Sequence, residues 1–213
     1  MLENKRVPLI VLLMGFVLSM SAQEANRFRH YYEGDRIRSY VLCNGRKVNA
    51  LYRVRRGGRT VALGGEDYLV TAIDTSLIGR IEVPSHITGP DGRVLAVNCI
   101  SRHALADCRH ITEVVLPDCL RDIGDQSFMN CRSLRSIVLP PYTSNIWPYA
   151  FRGCSSLQRI TVTSEVPPDA YNDVFDERTL RLATLVVPAS KADSYRNAFI
   201  WNMFRYLVAN WDQ

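Results

Sequence analysis

The sequence predicts a short solenoid of stacked repeats, mainly β with irregular or 3-10 returns. A β-hairpin cap is expected at its N-terminal end and a helical cap at its C-terminal end. Two observations carry this prediction. Cys108, Cys131 and Cys154 are spaced by 23 residues. In the same register Leu116-Pro117 recurs as Leu139-Pro140, Leu105 as Phe128 and Phe151, Ile100 as Ile123 and Ile146, and Ile111 as Leu134 and Leu157. A period of this length marks an array in which each unit buries its apolar side on its neighbours.

Lys5 and Arg6 precede an apolar run from Val7 to Met20, and Ser21 and Ala22 follow it. This is the plan of a secretory signal peptide, and cleavage is expected after Ser21 or Ala22. The run is short against the roughly 20 residues of a membrane-spanning helix. No cysteine stands at the cleavage point, which argues against a lipid anchor. The mature chain is therefore expected to be exported, to the periplasm, the cell surface or the medium, and not integral to a membrane.

Gln23 to Ser39 is polar and arginine-rich and is expected to form a loose leader. Next, Leu51–Arg56 and Arg59–Leu63 flank Gly57-Gly58, whose glycines supply the positive φ angles of a tight hairpin turn. Pairing across that turn sets Val54 opposite Val61 and Tyr52 opposite Leu63 on an apolar face. Arg53 and Arg55 are expected on the other face, toward water. The first repeat starts near Ile78 and carries an insertion around Gly89-Pro-Asp-Gly92, strong turn chemistry. Within a regular rung, alternation over Ile137–Leu139 marks a short strand with two inward side chains, and Pro140 ends it by withholding a donor. The segment bearing Ile146, Ala150 and Phe151 returns along the opposite side. The repeat from Leu157 lacks Leu-Pro and a closing cysteine. Ala183–Pro188 is a last strand, and Ser190 is expected to cap a helix over Lys191–Ala198 with Asp193 in its first turn. Trp201, Phe204 and Leu207 follow at helix-like spacing. The chain thus divides into a signal peptide (1–22), a polar leader (23–39), a β cap (40–77), the repeats (78–182) and a strand-and-helix cap (183–213).

Six cysteines in an exported chain ordinarily imply disulfides. Residues at one repeat position, however, stack with parallel Cβ vectors about 5 Å apart, a poor disulfide geometry. Cys108, Cys131 and Cys154 are therefore expected to form a reduced, buried ladder. A disulfide within the set Cys43, Cys99 and Cys119 stays open. Cys99, His103, Cys108 and His110 are not expected to bind metal, because Cys108 belongs to the core.

The pattern L-x-x-I-x-L-P followed by I-x-x-x-A-F-x-x-C-x-x-L, read from Leu134 to Leu157, resembles the BspA-type leucine-rich repeat family. That family comprises exported proteins of Bacteroidetes-like bacteria and some parasitic protists. The resemblance extends from Leu51 to Val208 and implies a leucine-rich-repeat solenoid. It also implies a secreted or cell-surface protein that adheres to host matrix proteins or other bacteria. Thr143 departs from the pattern, standing where an aliphatic residue is usual.

No catalytic constellation is present: no G-x-S-x-G, no H-E-x-x-H, no glycine-rich phosphate loop. His30, His86, His103 and His110 are scattered, as are the acids Asp122, Asp125, Asp173, Asp176 and Glu177. No enzyme activity and no cofactor are expected. Between Gln23 and Glu66 ten Arg/Lys stand against four Asp/Glu. Such a basic segment either attracts an acidic partner or forms a solvated hairpin face; nucleic acid is not the expected partner. On a leucine-rich repeat the outward strand positions are the binding candidates. Here they are Thr112, Glu113, Val115, Arg135, Ser136, Val138, Gln158, Arg159 and Thr161, a mixture of charge and exposed aliphatics suited to a protein ligand. A structural or self-associating envelope protein is the alternative, and a glycan-active enzyme the least favoured reading.

Overall fold

The computed structural model describes residues 35–56, 58–64 and 72–210. The expected signal peptide, most of the polar leader and Gly57 of the hairpin turn lie outside the described residues. The strands are β1 (Arg36–Cys43), β2 (Arg46–Val54), β3 (Thr60–Leu63), β4 (Gly79–Glu82), β5 (His86–Thr88), β6 (Val94–Ile100) and β7 (Ile111–Val115). They continue with β8 (Asp122–Ile123), β9 (Ser136–Leu139), β10 (Asn145–Ile146), β11 (Arg159–Val162), β12 (Asp169–Ala170), β13 (Thr184–Pro188) and β14 (Tyr206–Asn210). Two short helices, α1 (Glu177–Leu182) and α2 (Ala192–Asn197), lie near the end of the described chain.

The 23-residue period produces two parallel ladders. One runs β4-β7-β9-β11-β13-β14 in strands of four or five residues; the other runs β6-β8-β10-β12, is built from the returns, and after β6 has strands of two residues. The antiparallel meander β1-β2-β3 joins them, β1 pairing with β4 and β3 with β6, so that all these strands belong to one sheet folded back on itself. Leu105, Phe128 and Phe151 are wholly buried between the ladders. Phe128, Phe151 and Phe175 stack with ring centroids 5.1 and 5.4 Å apart, which is the rung spacing itself. Trp201 and Phe204 meet Phe175 edge-on at 6.2 and 5.3 Å and end the column.

The cysteine ladder is a second column. Cys108, Cys131 and Cys154 are fully buried and all six cysteines are free thiols. The thiols of Cys131 and Cys154 donate to the carbonyls of Leu105 and Phe128 at 3.2 and 3.1 Å, each satisfying an acceptor in the preceding rung. Burial pushes the Cys108 thiol up to about 12, so it stays protonated and inert at neutral pH. Cys43, Cys99 and Cys119 are not disulfide-bonded either.

The hairpin register is as the sequence predicts, with Tyr52↔Leu63 and Val54↔Val61. The insertion after the first repeat strand is a hairpin of β5 and β6, closed by the Gly92 N–H donating to the Gly89 carbonyl at 2.9 Å. Four expectations need correction. The leader does not run to Ser39, because β1 begins at Arg36 and pairs with β2 along its whole length. The signal was Asn44-Gly45, both at positive φ (49° and 78°), a two-residue turn that makes Arg36–Val54 a hairpin. Arg55 does not simply face water: its guanidinium pairs with Asp122 at 2.8 Å. Ser190 caps no helix, since it lies inside a 3-10 turn (Ala189–Lys191) before α2. Finally, Trp201, Phe204 and Leu207 do not share a helix. Ile200 at φ 68° breaks it, Trp201–Met203 is one 3-10 turn, and Leu207 belongs to β14. The aromatic and aliphatic run Tyr206-Leu-Val-Ala suits a strand, and that preference wins over the apparent spacing.

Candidate protein-binding face

Inward and outward residues alternate along the longer strands, so register decides what the surface carries. In β9, Ile137 and Leu139 are buried while Val138 is 51% exposed. In-register parallel pairing then lines up equivalent outward positions. Glu113, Ser136, Arg159, Thr184 and Tyr206 form one outward row across β7, β9, β11, β13 and β14. Val138, Thr161, Val186 and Val208 form the next, of which Val186 is buried, and Val115, paired with Glu82, stands at its head. Thr112, Arg135 and Gln158 make a third row at the strand entrances, linked by backbone bonds from Arg135 N–H to Thr112 and from Gln158 N–H to Arg135 at 3.2 and 2.9 Å. The structure thus places the nine sequence-selected residues on one face, in two mainly polar rows and one mainly aliphatic row.

The face is not uniform. At its β4–β7 side Arg80 pairs with Glu113 at 3.3 Å and with Glu82 at 3.7 Å, which sets two acids against one arginine at that corner. Toward β11 the face deepens into a groove of about 670 Å³. Arg135, Ser136, Gln158 and Arg159 line it together with Ser155, Ser156, Arg178, Leu182 and Thr184. Three of these are arginines and none of the lining residues is acidic. Arg178 and Leu182 come from α1, a helix that the 23-residue pattern does not predict. The signal there was Asp176 followed by Glu177, acidic residues at a helix start, with Arg181 four residues after Glu177. Asp176 is also tied into the preceding rung, accepting from the Gly153 N–H at 2.7 Å. The helix that supplies Arg178 is thereby anchored to the repeat that supplies Arg135.

The opposite face differs. Asp122 accepts from Arg55 and from Asn145 Nδ2 at 2.9 Å, and Arg102 pairs with Asp125. His103 Nε2 and Gln126 Oε1 lie 2.8 Å apart, one repeat apart in sequence. His103 is therefore engaged in a rung-to-rung contact. His103, Gln126, Tyr149 and Asp173 all have positive φ, as do Asp107, Asn130 and Gly153, so each return turns its corner in the same left-handed conformation. Among the described residues no group of three or more His, Cys, Asp or Glu is placed to hold a metal ion. No described helix is long and apolar enough to cross a membrane.

No curated protein matches the sequence. Among solved structures, a leucine rich cell surface protein from Faecalibacterium prausnitzii A2-165 is similar at 13% identity and a TM-score of 0.43 over 70% of this chain and 52% of its own. The chain therefore spans about half the length of that protein. A leucine rich repeat protein of T. pallidum is similar at 16% identity and a TM-score of 0.31 over 69% of this chain and 92% of its own. The family model for the BspA type leucine rich repeat region matches residues 93–203 in 6 copies. With that match across the stacked rungs, the chain belongs to the BspA-type leucine-rich repeat family, whose members are protein-interaction or surface repeat modules.

Proposed function

We propose that the chain is an exported, non-enzymatic adhesion module that binds a protein ligand through the face of its longer strands. The observation that carries this reading is the groove in which Arg135, Arg159 and Arg178 converge without an acidic residue, beside exposed Val138. Arginine is favoured in protein interfaces because its planar fork binds carboxylates while its stem covers apolar surface. The matching ligand is a host matrix or bacterial envelope protein that presents an acidic segment next to aliphatic side chains. A binding array of matrix and envelope proteins tests this, with wild type compared against the Arg135→Glu/Arg159→Glu double variant. Charge reversal is expected to weaken binding by at least about tenfold, the loss of one good charged contact. Binding that is absent at micromolar concentration, or unchanged in the variant, rejects the reading. Protease shaving of intact cells tests its location, since a protein cleaved only after cell lysis is not on the surface.

One observation favours a second reading, self-association in the envelope. β14 ends the sheet, and Tyr206 and Val208 on it are 47% and 49% exposed. Unpaired terminal strands pair readily with another chain. Light scattering at several concentrations separates the two, because a strict monomer excludes assembly through β14.

A further inference from the structure

The face built from the returns carries one feature that its rung-to-rung bonding does not use. Backbone bonds define a single outward column there. Ser101 N–H donates to Leu63, Gly124 to Ile100, Trp147 to Ile123 and Tyr171 to Ile146, at 2.8, 2.8, 2.9 and 3.2 Å. The column is small at Ser101 and Gly124 and aromatic at Trp147 and Tyr171. Trp147 and Tyr171 stack with centroids 5.1 Å apart and planes 13° from parallel. Tyr171 thus covers one face of the indole, and Trp147 remains 42% exposed. Its other face looks along the column over Gly124, where there is no side chain. A Cβ at Gly124 would lie 2.7 Å from the backbone N of Arg102, so the neighbouring rung keeps that position a glycine and the floor flat.

The result is a slot of about 380 Å³, walled on one side by Trp147 and on the other by the β2–β3 hairpin. Its charged lining is Arg53, Arg55, Arg56, Arg102, Asp122 and Asp125. The volume is at the small end of the range for ligand sites. The aromatic stack stops one register short of this lining, so a flat ring of single-rung thickness completes it. A purely aromatic guest would cover these guanidinium and carboxylate groups without offering them hydrogen bonds. A ring edged with hydroxyls uses them, donating to Asp122 and Asp125 and accepting from Arg55 and Arg102. Four arginines against two aspartates make the field positive, which favours a ring that also carries a carboxylate.

We propose that this slot binds a carboxylated pyranose, the sugar of acidic glycans, with its apolar face on Trp147 and its carboxylate toward the arginines of the hairpin. The site is separate from the proposed protein-binding face and stands or falls independently of it.

Saturation-transfer NMR on the full chain tests it, with glucuronic acid as probe and glucose as neutral control. Saturable transfer to glucuronic acid is expected, with glucose at least about tenfold weaker, one charged contact being worth about that factor. Trp147→Ala is expected to abolish transfer and Arg56→Glu to weaken it. Both side chains are exposed, so neither change disturbs the core. The strand-face variant Arg159→Glu is expected to bind the sugar as wild type does. No transfer to glucuronic acid, equal binding of glucose, or unchanged binding by Trp147→Ala each overturns the proposal.

Discussion

The two ladders come from one repeat yet have different surfaces. On the strand ladder, four- and five-residue strands hold outward side chains in straight rows. On the return ladder, two-residue strands are followed by left-handed corners, and outward polar residues bond to the rung above or below, as in Asp122–Asn145, Asp107–Asn130 and His103–Gln126. A strand satisfies its backbone within the sheet and leaves its side chains for other uses. A tight corner needs side-chain help. The difference teaches that the same period can tie outward side chains into the fold on one side and leave rows of them exposed on the other.

Removing the column that both ladders share has the largest expected effect. Phe151 sits between Phe128 and Phe175, and Phe151→Ala is expected to cost about 3–5 kcal/mol in urea unfolding, the range for a buried phenylalanine. A loss under about 1 kcal/mol would mean that the stack is not the core. The contrast between faces is tested next by Asp122→Ala and Glu113→Ala. Asp122, 17% exposed and bonded to Arg55 and Asn145, is expected to cost about 1–2 kcal/mol. Glu113, 51% exposed, is expected to cost no more than about 0.5 kcal/mol. Equal losses would erase the distinction. A smaller change of opposite sign is expected at Thr143, which is 2% exposed with no hydrogen-bond partner for its hydroxyl. Thr143→Val removes that buried hydroxyl and is expected to stabilise by about 1 kcal/mol.

The thiol ladder gives a pH signature. Burial raises Cys108 from an ordinary 9.0 to about 12 and raises Cys131 well above 9.0. Cys131 is raised first by its hydrogen bond with Cys154 and then by burial. A raised folded value means the folded state holds its protons longer than the unfolded one. The stability from these groups is therefore complete below pH 9 and is lost as pH rises toward 12. Denaturation midpoints measured from pH 7 to 11 are expected to be flat at first and to fall above 9. The fall should be blunted in Cys108→Ala.

The regular rungs were legible in the sequence because every link in them is local. Leu-Pro ends a strand, Ala-Phe fills the space behind it, and cysteine supplies a small buried side chain. The meander register was legible for the same reason, since Val54 and Val61 face each other across two glycines. Three features were harder to see. The Arg55–Asp122 pair joins residues whose contact depends on the whole sheet folding back, so neither position announces the other. The stop at Ile200 depends on a positive φ that an isoleucine does not advertise. For Arg178, the nine face residues were chosen by strand alternation alone, and a groove wall supplied by α1 lay outside that rule.

The central claim is that ligand binding sits on the strand face around Arg135, Arg159 and Arg178. It is tested most directly by titrating the protein ligand identified on the array against two variants with matched melting curves. Arg135→Glu/Arg159→Glu is expected to lose at least about tenfold in affinity, while Arg121→Glu, exposed beside the return ladder, keeps it. Full affinity in the first variant, or an equal loss in the second, would contradict the account.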